Sequence, residues 1–305
     1  MANIKIYKSK AGITSRLKTT GNMGLSKTVR ERIGLLIEID DRVVDVDRTI
    51  NWLEKQTPEL KPIVPITKLD LELIEKYLGE VAAERDYLKR LYVNTRGPQW
   101  TSHKNWNTSA SLTKWEGLWL KKAPYIIKDR VVIIANRVYK IDLNHHNLYG
   151  HNSTGVQGNL PDDIEKLACL EYLDLGRNCI SHALPSTLGN LRKLKKLHLH
   201  FNHFYKGLPK FDHLDSLEEL WLDHNHLEGG IEELTKLKKL KNCHIYHTKF
   251  SGEIPVALAE KKDLTEFKFY STYLQYGEEV QERIDNEPGW EGHKPSENFL
   301  LLRNL

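Results

Sequence analysis

Histidine is concentrated where its spacing could do chemistry: twelve of the fourteen in this chain fall between positions 145 and 247. Imidazole moves protons near neutral pH and is the commonest metal ligand. By ligand type, His198, His200, Asp223 and His224 could coordinate a divalent cation. They would first have to be gathered from different turns of the chain, so no metal site is assigned. Of the three cysteines, Cys169 and Cys243 stand in or beside apolar positions and read as inert core thiols. Nothing beside Cys179 marks a nucleophile. No G-x-x-x-x-G-K-S/T loop, strand-linked G-x-G-x-x-G, H-E-x-x-H or C-x-x-C occurs. No catalytic residue and no cofactor is therefore expected, and the chain reads as a non-enzyme.

The histidines are carried by a repeat. From Ile141 onward the pattern L-x-L-x-x-N-x-L returns as Ile141–Leu148, Leu173–Ile180, Leu197–Phe204 and Leu220–Leu227, with weaker copies at Cys243–Phe250 and Phe267–Leu274. The Asn position falls at 146, 178, 202, 225, 248 and 272, giving spacings of 32, 24, 23, 23 and 24, the first enlarged by an insertion at 151–158. A fixed period of this length is the signature of a stacked array. Each copy predicts a short strand with alternate residues inward (Leu197, Leu199) and outward (His198, His200). Asn at the turn out of the strand can satisfy backbone groups there. The following Leu-Pro or Ile-Pro pairs hold the return segment extended. His146, Thr248 and Thr272 replace Asn near both ends, as terminal caps do.

The longer unit resembles the plant-type leucine-rich repeat, most clearly at Gly252-Glu-Ile254-Pro255 and Leu188–Leu191. The preceding stretch, with Leu88, Leu91, Tyr92, Gly97, Trp100, Trp106 and the W-x-G of Trp115–Gly117, resembles that family's N-terminal cap without its cysteine pair. The resemblance covers residues 84–274. It implies an α/β solenoid of about six 23–24-residue repeats with a helical N-terminal cap, of the cytoplasmic variety, whose function is protein binding. On such an array the outward positions become ladders across the concave sheet. Arg177, His198, His200, Phe201, Trp221, Asp223, His224, His244, Tyr246 and Tyr270 are the expected partner-binding residues, because aromatic and Arg side chains dominate interface hot spots. The inter-strand lysines (Lys193, Lys195, Lys236, Lys238, Lys239, Lys261, Lys262) read as a solvated convex side.

The flanks divide the chain into five expected segments: 1–27, 28–66, 67–137, 138–274 and 275–305. Lys5, Lys8, Lys10, Arg16, Lys18, Lys27 and Arg30 face no Asp or Glu within the first thirty residues, leaving 38 basic against 41 acidic groups in the rest. A free basic arm is expected, able to anchor the chain to an acidic protein surface such as a cytoskeletal polymer, or to RNA. Leu36, Ile39, Val43, Val46, Ile50 and Leu53 follow a helical seam, Thr28 and Glu31 offer a capping box, and Pro58, Pro62 and Pro65 form a linker. Thr67 and Asp70 open a second helix lined by Leu71, Ile74, Leu78, Val81, Leu88 and Leu91. The pair is expected to close the open end of the array, or to make a coiled-coil contact. Asn136-Arg137 reads as a hairpin turn entering the first repeat. The tail, with an acidic stretch at 278–287, Pro288-Gly289-Trp290 and apolar Phe299–Leu302, reads as a docked cap or a docking peptide.

At 305 residues, 40% hydrophobic and 28% charged, with mean hydropathy −0.52, the chain is a soluble folded protein with no membrane-spanning run. An odd cysteine count and the lack of a signal-peptide core place it in the cytoplasm, including its cytoskeleton. The arm shares the composition of a mitochondrial presequence, but a chain still carrying Met1 speaks against import. The sequons at Asn107 and Asn152 are then coincidental. The reading is an intracellular scaffold or adaptor gripping a protein on the concave sheet. Its alternative is a structural subunit of a cytoskeletal or ribonucleoprotein assembly, held by the arm.

Overall fold

A computed structural model describes residues 4–7, 9–19, 25, 35–39, 46, 49–51, 53, 55, 68–127, 131–149 and 158–292. They form two compact units, Met1–Lys89 with Lys104–Lys140, and Arg90–His103 with Ile141–Leu305.

The first unit is built on two runs with almost no polar residue, Leu35–Ile39 and Val131–Ala135. Strands of this kind must be covered on both faces. β1 (Ile4–Tyr7) lies antiparallel to β2 (Leu35–Ile39). β2 runs parallel to β4 (Val131–Asp142), which also pairs with β3 (Leu118–Ile127). On one face Leu35, Ile37, Ile39, Ile133 and Ala135 pack with Leu53 and with Ile74, Tyr77, Leu78 and Val81 of α2 (Lys68–Asn94). On the other, Leu36, Val132 and Ile134 pack with Leu25 and with Ile13 and Leu17 of α1 (Lys10–Thr19).

This unit corrects three expectations. The basic arm is not free: its residues 4–7 are a sheet strand and 10–19 a helix with a buried side. Arg16 Nε donates to Glu38 Oε2 at 2.9 Å, and Lys122 binds the same carboxylate. Burial raises the Glu38 carboxyl, but its bonds to Arg16 and Lys122 hold it below its ordinary value. Lys5, Lys10 and Lys18 are exposed, whereas Lys8, Lys27 and Arg30 lie outside the described residues. The helical seam fails in its first half, because Leu36 and Ile39 sit on opposite faces of β2. The 3-4 spacing passed over Leu35 and Ile37, which are fully buried and which only a two-faced strand can use. From Val46 to Lys55 the described residues are helical. Val43, the Thr28–Glu31 box and the three prolines lie outside the described residues, as does Thr67. The second helix forms as expected.

Asn136-Arg137 is no turn, because β4 runs straight through it. Arg137 is buried, its Nε 2.8 Å from Glu84 Oε1, with its guanidinium 5.5 Å from the Tyr77 ring. A buried, paired charge satisfies the same sequence signal as a polar turn. Nearby, the indoles of Trp106 and Trp115 donate to Glu116 O and Ala110 O, and Arg85 lies 5.1 Å from the Trp115 ring.

The second unit is the repeat array. β5 (Tyr172–Asp174), β7 (Lys196–His198), β9 (Glu219–Trp221), β11 (Asn242–His244) and β13 (Glu266–Lys268) pair in parallel, one strand per repeat. Just past each Asn or Thr position a second parallel sheet forms from β6 (Ser181–His182), β8 (His203–Lys206), β10 (His226–Gly229), β12 (Lys249–Glu253) and β14 (Tyr273–Gln275). Short 3-10 turns and α3 (Val256–Ala259) carry the chain back. Leu188, Leu191, Leu194, Leu197, Leu199 and Phe204 of one repeat are all buried, so neighbouring coils complete each other's core. Several inter-strand lysines pair one repeat back, Lys195 with Glu171 and Lys236 with Asp212.

The tail closes this core. α4 (Glu278–Asn286) buries Val280, and β15 (Trp290–Glu291) pairs with β13. Arg283 donates to the carbonyls of Ala259 and Leu264, and the Trp290 indole also donates to Leu264 O. Phe299–Leu302 lies outside the described residues. No helix among the described residues is long and apolar enough to cross a membrane.

Candidate functional site

The outward face of the array rests on an amide column. Asn202 Oδ1 accepts the Ile180 N–H at 2.9 Å while its Nδ2 faces the carbonyls of Leu175, Leu199 and His200. Asn178 and Asn225 repeat this, each binding its own turn and the preceding coil. Thr248 and Thr272 bond within their own coil, donating from Oγ1 to Ile245 O and Phe269 O, and Thr272 Oγ1 also accepts the Leu274 N–H at 3.4 Å. To turn the Asn inward, the residue before it adopts left-handed backbone. His145, Arg177, Phe201, His224, His247 and Ser271 all have φ between 51° and 58°. That region disfavours L side chains. Here the turn imposes it, and it aims each of these side chains outward.

The strand ends lie in register, Asp174 beside His198, then Trp221, His244 and Lys268. Their rings form a stack. His198 and Trp221 are 3.9 Å apart and within 9° of parallel, and Trp221 and His244 are 5.2 Å apart at 6°. Carboxylates hold the imidazoles: His198 Nε2 is 3.2 Å from Glu219, His244 Nε2 is 2.9 Å from Glu266, and His224 Nδ1 is 3.0 Å from Asp223. Burial raises Asp174, but the His198 imidazole 3.5 Å away and bonds from Asn144 and the Gly176 N–H outweigh it and hold the carboxyl at about 2. Burial lowers His200, whose ring lies over Gly176 where a Cβ would stand 2.3 Å from it. A second stack, Phe201 on His224 at 3.8 Å, carries Arg177 with its guanidinium 4.9 Å from the Phe201 ring. Tyr246 and Tyr270 stack at 4.5 Å, and burial followed by the Asp223 charge pushes the Tyr246 phenol up.

The ten sequence-nominated residues therefore share one face, but differ in access. Arg177 and Phe201 are exposed, while Trp221, His224, His244, Tyr246 and Tyr270 are half-buried. His198, His200 and Asp223 are only 4, 7 and 2% exposed, so they support the face rather than present it. Among the described residues no three His, Cys, Asp or Glu side chains are placed to hold a metal ion. Sequence reasoning missed the position after the Asn, where His203, His226, Lys249 and Tyr273 stand exposed. Its constant offset from the Asn was the available signal.

A family model described as a leucine-rich repeat region matches residues 145–274. Residues 145–274 are a leucine-rich repeat region. The fold resembles the leucine-rich repeat ectodomain of the receptor kinase SOBIR1 from Arabidopsis thaliana, at 22% identity and a TM-score of 0.51, over 64% of this chain and 96% of that one. The BIR2 ectodomain from the same plant aligns at 23% identity and a TM-score of 0.46, over 61% of this chain and 93% of its own. No curated protein matches the sequence. Leucine-rich repeat regions have the capacity to bind proteins and are generally without enzymatic activity, and this one presents the paired, stacked face described above.

Proposed function

We propose that the chain is a non-enzymatic, cytoplasmic adaptor that grips a protein partner on the strand face of its leucine-rich repeats. The observation that carries this reading is the ring stack of His198, Trp221 and His244. A half-buried indole clamped between two parallel imidazoles has already lost its rotamer freedom, so little ordering cost falls on binding. Trp and Tyr in such settings are the usual anchors of interfaces. The imidazoles at these strands bond neighbouring carboxylates, which fixes the orientation of the rings that hold the indole. The cytoplasmic assignment rests on Cys169, Cys179 and Cys243 being free thiols. The assembly-subunit alternative drew its support from a free arm, and the described part of that arm is folded into the first unit.

Quantitative affinity purification from native cells, comparing wild type with Trp221→Ala/Tyr246→Ala, tests this. Removal of two anchors costs about 2–4 kcal/mol of binding, so specific partners should drop out while circular dichroism shows the array still folded. Unchanged recovery of every partner refutes the strand-face reading.

A further inference from the structure

Resting on that reading, the charge pattern identifies the chemistry of the partner. On the strands, the outward carboxylates are compensated. Glu219 pairs with Lys196 and His198, Glu266 with His244 and Lys268, and Asp174 with His198. The two positions that flank the Asn column differ: across the six repeats neither holds an Asp or Glu. The position before it carries Arg177, Phe201, His224 and His247. The position after it carries His203, His226, Lys249 and Tyr273. Among the described residues no carboxylate forms an ion pair with Arg177 or Lys249, both exposed, and Glu228 stands in register beside Lys249 without bonding it. The rings along this strip are stacked on one another, Phe201 on His224 at 3.8 Å and His203 against His226 at 5.7 Å and 12°. Each of these rings thus has a face covered by a neighbouring repeat, and their edges, which carry the imidazole nitrogens, stay open to a ligand.

We infer that this strip docks an acidic segment of the partner protein, laid along the array with its carboxylates on Arg177, Lys249 and the imidazole edges. A nucleic acid would bring phosphates too, but would need a row of free ring faces on which to stack successive bases, and of the rings named in this strip Tyr273 alone stands without a ring contact among the described residues. Two exposed cations in columns that hold no acid, beside a strand face whose carboxylates are bonded, also set the orientation of the bound partner.

The test is fluorescence anisotropy with the full chain and a labelled peptide of about ten glutamates, long enough at about 3.4 Å per residue to span the array. Arg177→Glu/Lys249→Glu should weaken binding about tenfold, and added salt should weaken the wild type. The charge-matched control Lys238→Glu/Lys239→Glu, on exposed inter-strand residues, should stay within about twofold. No binding of the peptide, equal loss in both double variants, or tighter binding of a matched oligouridylate overturns the inference. These results leave the broader reading standing as long as Trp221→Ala/Tyr246→Ala still loses its native partners. If partners survive both that variant and the strip variant, the broader reading falls as well.

Discussion

Replacing Asn202 separates the amide column from ordinary core packing. Its side chain makes four bonds, but they are not equally hard to lose. Leu175 O also accepts from Asn178 Nδ2, Leu199 O from Asn225 Nδ2, and His200 O from the Arg177 N–H. With Asn202→Ala each carbonyl therefore keeps a donor, and the Ile180 N–H alone is stranded. A buried unpaired N–H costs about 1–3 kcal/mol. Three weakened carbonyls and a small void bring the expected loss to about 3 kcal/mol. Asn202→Thr should cost about 1–2 kcal/mol, because Thr248 and Thr272 show that a hydroxyl still serves its own turn. Asn202→Asp keeps the acceptor but sets a negative charge against three carbonyl oxygens, so it should be at least as damaging as Ala. Amide hydrogen exchange by mass spectrometry, read on peptides spanning residues 172–206, gives the local opening free energy without assuming that both units unfold together. A loss under about 0.5 kcal/mol for Ala, or Thr as damaging as Ala, would refute the idea that inter-repeat amide bonds hold the coils in register.

Gly229 has φ +84° and nothing within 4 Å of an added Cβ. Gly229→Ala should therefore cost about 1–2 kcal/mol from backbone strain alone. Lys206 occupies the same slot one repeat earlier with φ 68°, so Lys206→Gly should raise the melting temperature. Leu199→Ala should cost about 2–5 kcal/mol as a core truncation. His198→Ala should cost about 1–3 kcal/mol rather than nothing, because that ring is 4% exposed and carboxylate-bound, and chemical denaturation of both variants measures the difference. Asp174 is held at about 2 in the fold against an ordinary 3.8. Its stabilisation is present above pH 4 and is lost as pH falls through about 2. Acid titration of Asp174→Asn should show a shallower loss across that window, and an identical acid limb would remove the assigned bonds.

Which residues share the strand face could be read directly from the sequence. A period of 23–24 with Leu at fixed offsets leaves one stacking register, and His198, Trp221 and His244 must then be neighbours. Access was not legible in the same way. Whether His198 meets solvent depends on Trp221, a whole repeat later, lying flat upon it, and local alternation has no information about a neighbour 23 residues away. The first unit departs from its sequence pattern for a related reason. Leu36, Ile39, Val46, Ile50 and Leu53 satisfy a helical count, and only the existence of β1 and β4 as pairing partners makes Leu35–Ile39 a strand. The arm followed: seven cations without an acid look solvated until Glu38 and Lys122 are brought to Arg16 from elsewhere in the chain.

The repeat period suffices to specify the array. Each repeat buries its leucines only against the next copy of the same pattern, so spacing alone specifies strand order, register and the outward columns. Contacts between unlike segments set the rest: two-faced burial of β2, the pairing of Arg137 with Glu84, and which imidazoles are shielded. Those outcomes arise from neighbours that no period relates, and burial and electrostatics act on distance in space rather than along the chain.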